Sequence, residues 1–263
     1  GGVGVGGRVW WAGDGGVGAG NAADRVVLGV PVGALGSIAE EIAPHLNPGC
    51  TVSDVGSVKK SVIEAIEPHL PPGVHFVPAH PMAGTEHSGP ESGFDTLFDN
   101  RWCLIVPNGA DEAATQKLEA YWQALGANCE RMEVGHHDQV CAVVSHIPHL
   151  IAYTMVGVAD DLRRVSEREV IKFSAAGFRD FTRIAASDPT MWRDVFLTNK
   201  KATLEILGRF TEELVALQRS TRKGDSAPQS DYFTPTPETR SALSDAAQHH
   251  DHPTSGRPLP RPQ

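Results

Sequence analysis

From Arg25 onward, short apolar runs alternate with longer stretches of helical period. Residues 26–30, Val-Val-Leu-Gly-Val, read as a buried strand stopped by Pro31. Residues 38–46 read as a helix ended by Asn47-Pro48-Gly49. Strand patterns recur at 51–55, 74–79 and 102–106, with a helix at 57–66 between the first two. Strands alternating with helices predict a parallel α/β architecture. After Pro107 the strands are expected to stop, and residues 111–126 and 137–160 read as helices. A long helix is expected to start at Ser187-Asp188-Pro189, with Asp188 as its cap and Pro189 in its first turn. Trp192, Phe196, Asn199, Thr203, Ile206, Phe210, Leu214 and Leu217 then recur every three or four residues, one helix face that is apolar except near its middle.

The two ends break this pattern. Residues 1–24 are dominated by Gly, Val, Ala and Trp, a low-complexity stretch read as an aberrant N-terminus. Residues 221–263 are rich in Ser, Pro, Thr and Asp, and a mostly disordered tail is expected. Between them lie a partial dinucleotide-binding domain over 25–107 and a helical domain over 108–220. The formal net charge of -9 argues against a nucleic-acid or anionic-membrane surface. An anionic substrate would then be met by individual arginines. The four cysteines have no C-x-x-C spacing, which suits reduced thiols in a cytoplasm. The most apolar run, 140–159, contains Ser145, His146, Pro148 and His149, a composition for a buried helix rather than a bilayer span.

Four constellations carry candidate chemistry. Asp54-Val55-Gly56-Ser57-Val58-Lys59 follows a predicted strand and opens a helix, the edge at which open α/β sheets bind ligands. Gly56 permits close backbone approach there and Ser57 offers a hydroxyl; an ordinary strand–turn–helix fits as well. His80-Pro81-Met82-Ala83-Gly84-Thr85-Glu86 also follows a predicted strand. A neutral imidazole is a natural base near pH 7. A lone histidine before a proline is more often structural, whereas a small-residue loop flanked by polar groups favours binding. Ser145-His146-Ile147-Pro148-His149 puts two histidines on one side of a helix, close in sequence to His136, His137 and Asp138. With no third ligand at a recognised spacing and a kinking Pro148, no metal is expected. Phe178-Arg179-Asp180-Phe181-Thr182-Arg183 offers guanidinium groups for a carboxylate or, alternatively, solvated charges. His249, His250 and His252 fall in the polar tail and are discounted.

These stretches, with 97–107 and 187–194, run in the order found in the prephenate/arogenate (cyclohexadienyl) dehydrogenases, which the chain resembles over roughly residues 22 to 220. The resemblance implies a Rossmann-like domain followed by an all-α dimerisation domain. It implies NAD as cofactor, with NADP not excluded, and prephenate or arogenate as substrate. His80 falls on the family's catalytic base and Ser57 on its partner serine. His149, Arg183, Thr85 and Glu86 fall on substrate-binding positions, Glu86 on one that helps order the pocket entrance. Val30, Pro31, Gly56 and Ser57 line the cofactor edge. Homodimers through the helical domain are implied too.

The N-terminus departs from that family. Gly2-Val3-Gly4-Val5-Gly6-Gly7 spells G-x-G-x-x-G, but only Gly1 precedes it and no helix pattern follows. The first βαβ unit is therefore expected to be missing, as in a truncated or mis-started reading of a longer gene. Two other readings stand beside the dehydrogenase: a cofactor-deficient fragment acting as a dimerising ligand-binding module, and a metal-dependent hydrolase built on the histidine pairs.

Overall fold

The computed structural model describes residues 23–84, 92–165 and 175–248. The low-complexity opening with its glycine pattern, Thr85 and Glu86, and the tail histidines lie outside these residues. The first sheet is parallel, in the order β1 (Arg25–Leu28), β2 (Thr51–Asp54), β3 (His75–Phe76). Helices α1 (Leu35–Ile42) and α2 (Lys60–Ile66) lie in the β1–β2 and β2–β3 connections. Leu35, Ala39 and Ile42 recur at helical spacing and are buried with Val52, Val62, Ile66 and Phe76. Gly36 keeps α1 close to α2, since a Cβ there would meet the Ala65 carbonyl oxygen at 3.3 Å.

The strand expected over 74–79 is two strands. Pro78 has no N–H for the ladder and ends β3, after which β4 (Ala79–Pro81) enters a second sheet. Hydrogen bonds from Val77 N to the Val52 oxygen and from Val106 N to the Pro78 oxygen, both 2.9 Å, link the two sheets. In the second sheet β4 pairs antiparallel with β5 (Trp102–Ile105), so the architecture is not wholly parallel. Nor do the strands stop at Pro107. After α3 (Glu112–Ala124), which Asp111 caps by accepting from Ala114 N at 3.0 Å, β6 (Asn128–Arg131) pairs parallel with β5. Its sequence, Asn-Cys-Glu-Arg, has no apolar run because it is an edge strand. Arg131 is held by Glu112 and Glu119 of α3 instead.

The helix expected over 137–160 is present but has a widened turn. α4 (Val134–Cys141) runs through a π turn, Ala142–His146, into α5 (Ile147–Val165). Pro148 cannot donate to the preceding turn, and the π turn absorbs the disrupted ladder just before it. By length and composition the stretch Val134–Asp161 could cross a membrane. Its buried side chains include the polar His137, Asp138 and His146, which bond within the fold. α6 (Ala176–Thr182) and a 3-10 turn (Arg183–Ala186) lead to α7 (Pro189–Thr198), capped as expected by Asp188 on Met191 N at 2.7 Å. The expected long helix is interrupted at Asn199, whose backbone leaves the helical region, and resumes as α8 (Lys200–Lys223).

Residues 1–207 and 208–263 form two compact units. The second is helical where described: the rest of α8, then α9 (Ala227–Phe233) and α10 (Thr236–Gln248). The expectation of a mostly disordered tail is thus corrected over these two helices. Pro228 and Pro237 read as breakers, but each sits in a first helical turn, where the missing N–H has no partner to lose. Leu35 is fully buried, so Leu35→Ala should cost about 2–5 kcal/mol in urea unfolding. Asp188→Ala should cost about 1 kcal/mol by loss of the cap.

Candidate active site

The first constellation is a structural lock next to a reactive loop. The Asp54 carboxylate, at the end of β2, accepts from Gly56 N at 2.8 Å and Ala79 N at 3.3 Å, and pairs with the Lys59 ammonium. Lys59 also donates to the Ala79 carbonyl at 2.7 Å, and both side chains are wholly buried. Burial pulls the Lys59 pKa down, opposed by the Asp54 charge. The pair therefore ties the β2 turn to the strand carrying His80. Gly56 is required in that turn: a Cβ would meet Asp54 Oδ2 at 3.0 Å and Val32 at 3.3 Å. Ser57 is half-buried on the approach to α2.

His80 is 8% exposed and faces the helical half. Its Nδ1 lies 3.0 Å from His137 Nε2, and His137 Nδ1 lies 2.8 Å from Asp138 Oδ1. Asp138 also accepts from the backbone N–H of Lys59 at 2.8 Å and of Lys60 at 3.0 Å. Burial drives the His80 pKa well below the ordinary histidine value, helped by His137, Lys59 and His146. Burial lowers His137 as well, while its hydrogen bond to Asp138 resists. Asp138 stays below the ordinary carboxylate value: burial, the largest influence, pushes it up, and its three N–H donors outweigh that. Near pH 7 the cluster thus holds two neutral imidazoles and one carboxylate.

Cys141 Sγ lies 3.6 Å from His80 Nδ1 and 3.5 Å from His137 Nε2. Among the described residues these three side chains gather donor atoms as metal ligands would. Two nitrogens on a tetrahedral zinc ion stand about 3.4 Å apart, since each bond is about 2.0–2.1 Å. The 3.0 Å between the two rings is a hydrogen-bond contact instead. Burial also pushes the Cys141 thiol up to about 12, so without a metal it is a neutral S–H.

His146 and His149 flank Trp192 of α7. His149 stacks on the indole with centroids 3.6 Å apart, and His146 meets it edge-on at 6.0 Å. His149 Nδ1 donates to the Ser145 carbonyl at 2.9 Å. Arg183 is close enough that its charge adds to burial in lowering the His149 pKa. Asn199 Nδ2 bonds the Asp138 carbonyl at 2.8 Å and His146 Nδ1 at 3.1 Å, which explains the helix break there. His146 Nε2 has the Ser57 backbone beside it but makes no full hydrogen bond. A separate polar cleft of about 350 Å³, lined by Lys60, His136 and Lys201 among others, reaches Asp138 and Asn199 and does not include His80.

The sequence-predicted residues fall into two groups. Ser57 and His80 share no hydrogen bond among the described residues; His146 stands beside the Ser57 backbone and acts on His80 only through its charge. His149 stacks on Trp192, and Arg183 is near enough for its charge to be felt at His149. Val30 is half-buried and Pro31 exposed beyond β1. Sequence reasoning missed the roles of Asp54, Lys59, His137, Asp138 and Asn199. Asp54 and Lys59 were flagged only as the ends of the β2 turn, Asn199 only by the interrupted apolar face, and His137 and Asp138 only as neighbours of a histidine pair.

The profile of the prephenate dehydrogenase nucleotide-binding domain matches residues 9–131, and that of the prephenate dehydrogenase dimerization domain matches residues 133–234. The chain belongs to the prephenate dehydrogenase family. The two profiles meet just after β6, where the sheet ends. The expected fold class, a Rossmann-like domain followed by a helical one, holds. The chain is 38% identical over 222 residues to a cyclohexadienyl dehydrogenase of Zymomonas mobilis, covering 84% of this chain and 75% of the relative. It is 33% identical to a prephenate dehydrogenase of Lactococcus lactis, covering 84% of this chain but only 61% of that relative. A crystal structure of prephenate dehydrogenase from A. aeolicus, in complex with hydroxyphenyl propionate and NAD+, superposes with a TM-score of 0.76 at 34% identity, over 84% of this chain and 77% of that one.

The His146 pKa is lowered by burial from 6.5 to about 4. Between these values the unfolded chain binds more protons than the folded one, so stability falls as pH falls. Unfolding midpoints should drop between about pH 6.5 and 4, by a few kcal/mol at most for this group. His146→Gln, which cannot titrate, should flatten that limb.

Proposed function

We propose that the chain is a cytoplasmic, NAD-dependent dehydrogenase that oxidatively decarboxylates prephenate, arogenate or both, on the route to tyrosine. The observation that carries the reading is the buried, neutral His80, supported from behind by His137 and standing next to the locked β2 turn. Such a ring accepts a proton from a substrate hydroxyl at neutral pH. Family membership supplies the substrate class.

The parallel edge fits one end of a dinucleotide. Gly29 has open space where a Cβ would stand, Val30 and Pro31 offer an apolar rim, and Gly56 brings backbone close. NAD, when bound, would supply the acceptor for a hydride from the ring carbon that carries the hydroxyl. His80 takes the hydroxyl proton. The carboxylate on the opposite ring carbon leaves as carbon dioxide, the ring becomes aromatic, and its oxygen takes the proton back from His80. Arg183 holds a substrate carboxylate by paired N–H donors, with His149 and its Trp192 stack shaping the same wall. Ser57 orients the substrate hydroxyl. Exposed Val143, Val144, Met155, Val156 and Val158 on the long helix suit burial against a second copy, in keeping with the matched dimerization profile.

Absorbance at 340 nm with NAD and prephenate or arogenate tests the activity. His80→Asn should lower kcat about 10²–10⁴-fold while leaving substrate binding largely intact. Arg183→Ala should raise KM more than it lowers kcat. Full turnover by His80→Asn would remove His80 from the mechanism.

A further inference from the structure

We infer that His137 and Asp138 are positioning residues that fix the tautomer of His80, placing its hydrogen on Nδ1 and leaving Nε2 as the bare, proton-accepting nitrogen. The reasoning starts from the carboxylate. Asp138 receives three N–H groups, two from the backbone at Lys59 and Lys60, and is ionised, so it acts only as an acceptor. His137 Nδ1, 2.8 Å away, must then be the donor. His137 is neutral, so its other nitrogen, Nε2, carries a lone pair. That lone pair faces His80 Nδ1 at 3.0 Å. Two lone pairs at this distance would repel, so His80 Nδ1 bears the hydrogen and donates it.

A neutral His80 has only one N–H, and the chain of contacts has used it. Nε2 is therefore bare, and among the described residues nothing hydrogen-bonds it. Cys141 does not alter this. At 3.5 Å from His137 Nε2 its S–H is a weak second donor to the same lone pair. The local charges are consistent: Lys59 is paired with Asp54 and leaves Asp138 to the histidines.

The consequence rests on the proposed dehydrogenase reading. Nε2 takes the substrate hydroxyl proton while the same ring carbon gives up its hydride, for which NAD would be the acceptor. His80 is an imidazolium with both nitrogens protonated until the proton returns to the ring oxygen as carbon dioxide leaves. Its Nδ1–H stays on the His137 lone pair, and Asp138 stays ionised, so no proton passes along the chain. Asp138 stabilises the new positive charge through His137 and holds the ring in one orientation.

The test reads the tautomer directly. The full chain is labelled with 15N-histidine, and long-range proton–nitrogen correlations are recorded near pH 7. His80 is assigned by the signals lost in His80→Asn. The wild type should show a protonated Nδ1 and a bare Nε2 for His80. His137→Leu should give a mixture of both tautomers and a kcat at least about ten-fold lower, with KM for NAD unchanged. His137→Gln should restore the wild-type pattern and most of kcat, because its amide oxygen accepts from His80 and its amide N–H donates to Asp138. Should His137→Leu not fold, the wild-type spectrum and the Gln variant still decide. A protonated Nε2 in the wild type would overturn the inference. So would an unchanged His80 pattern in His137→Leu, or one equivalent of bound zinc in the purified protein. The spectrum needs neither substrate nor cofactor: an inactive chain with the expected tautomer would sink the dehydrogenase reading alone, and an active chain with the opposite tautomer would sink this one alone.

Discussion

The Asp138 carboxylate joins the two halves of this fold. It sits on α4, in the helical half, and accepts the backbone N–H groups of Lys59 and Lys60 at the start of α2, in the sheet half. A carboxylate buried without partners would protonate or leave the interior. Here the N–H groups opening α2, which have no intrahelical partner, supply what it needs. The same carboxylate holds His137, which holds His80, so one charge sets both domain packing and the orientation of the candidate base.

The neighbouring charges follow from that arrangement. Lys59 is buried with its backbone on Asp138 and its ammonium on Asp54. Removing either partner of such a pair typically costs about 3–5 kcal/mol, because a buried charge is left alone. Asn199 adds a third tie by spending its amide on the Asp138 carbonyl and His146, at the expense of helix continuity. The result is a rigid polar wall with its histidines neutral near pH 7, the state a proton acceptor needs. Rigid support behind a reactive group is what keeps its geometry productive.

Much of the framework was readable along the chain. The apolar runs at β1, β2 and β5 stood out, and Asp188-Pro189 marked the start of α7, because these signals are local. β6 was not readable, since an edge strand built of Asn, Cys, Glu and Arg carries no apolar pattern. The split at Pro78 and the antiparallel turn of β4 depend on a sheet-to-sheet contact that periodicity does not encode. In the site, His80 and Ser57 were flagged by their loops and by family resemblance. His137 and Asp138 were noticed only as a weak metal motif. Their partners lie far away in sequence, His80 57 positions back and Lys59 79 positions back. The face containing Asn199 was read as polar near its middle but on one continuous helix; the partners that break the helix there are again distant in sequence.

The central claim is that His80 works as a neutral base held in a buried wall. The pH dependence of kcat, measured with NAD and saturating substrate, tests it most directly. A buried His80 keeps its pKa below the ordinary 6.5, so the active, unprotonated form persists into mild acid. The acid limb of the profile should therefore have its midpoint below 6.5, with full activity retained above it. A midpoint at or above 6.5 would mean that the titrating base is solvated or stabilised as a cation, and would contradict the account.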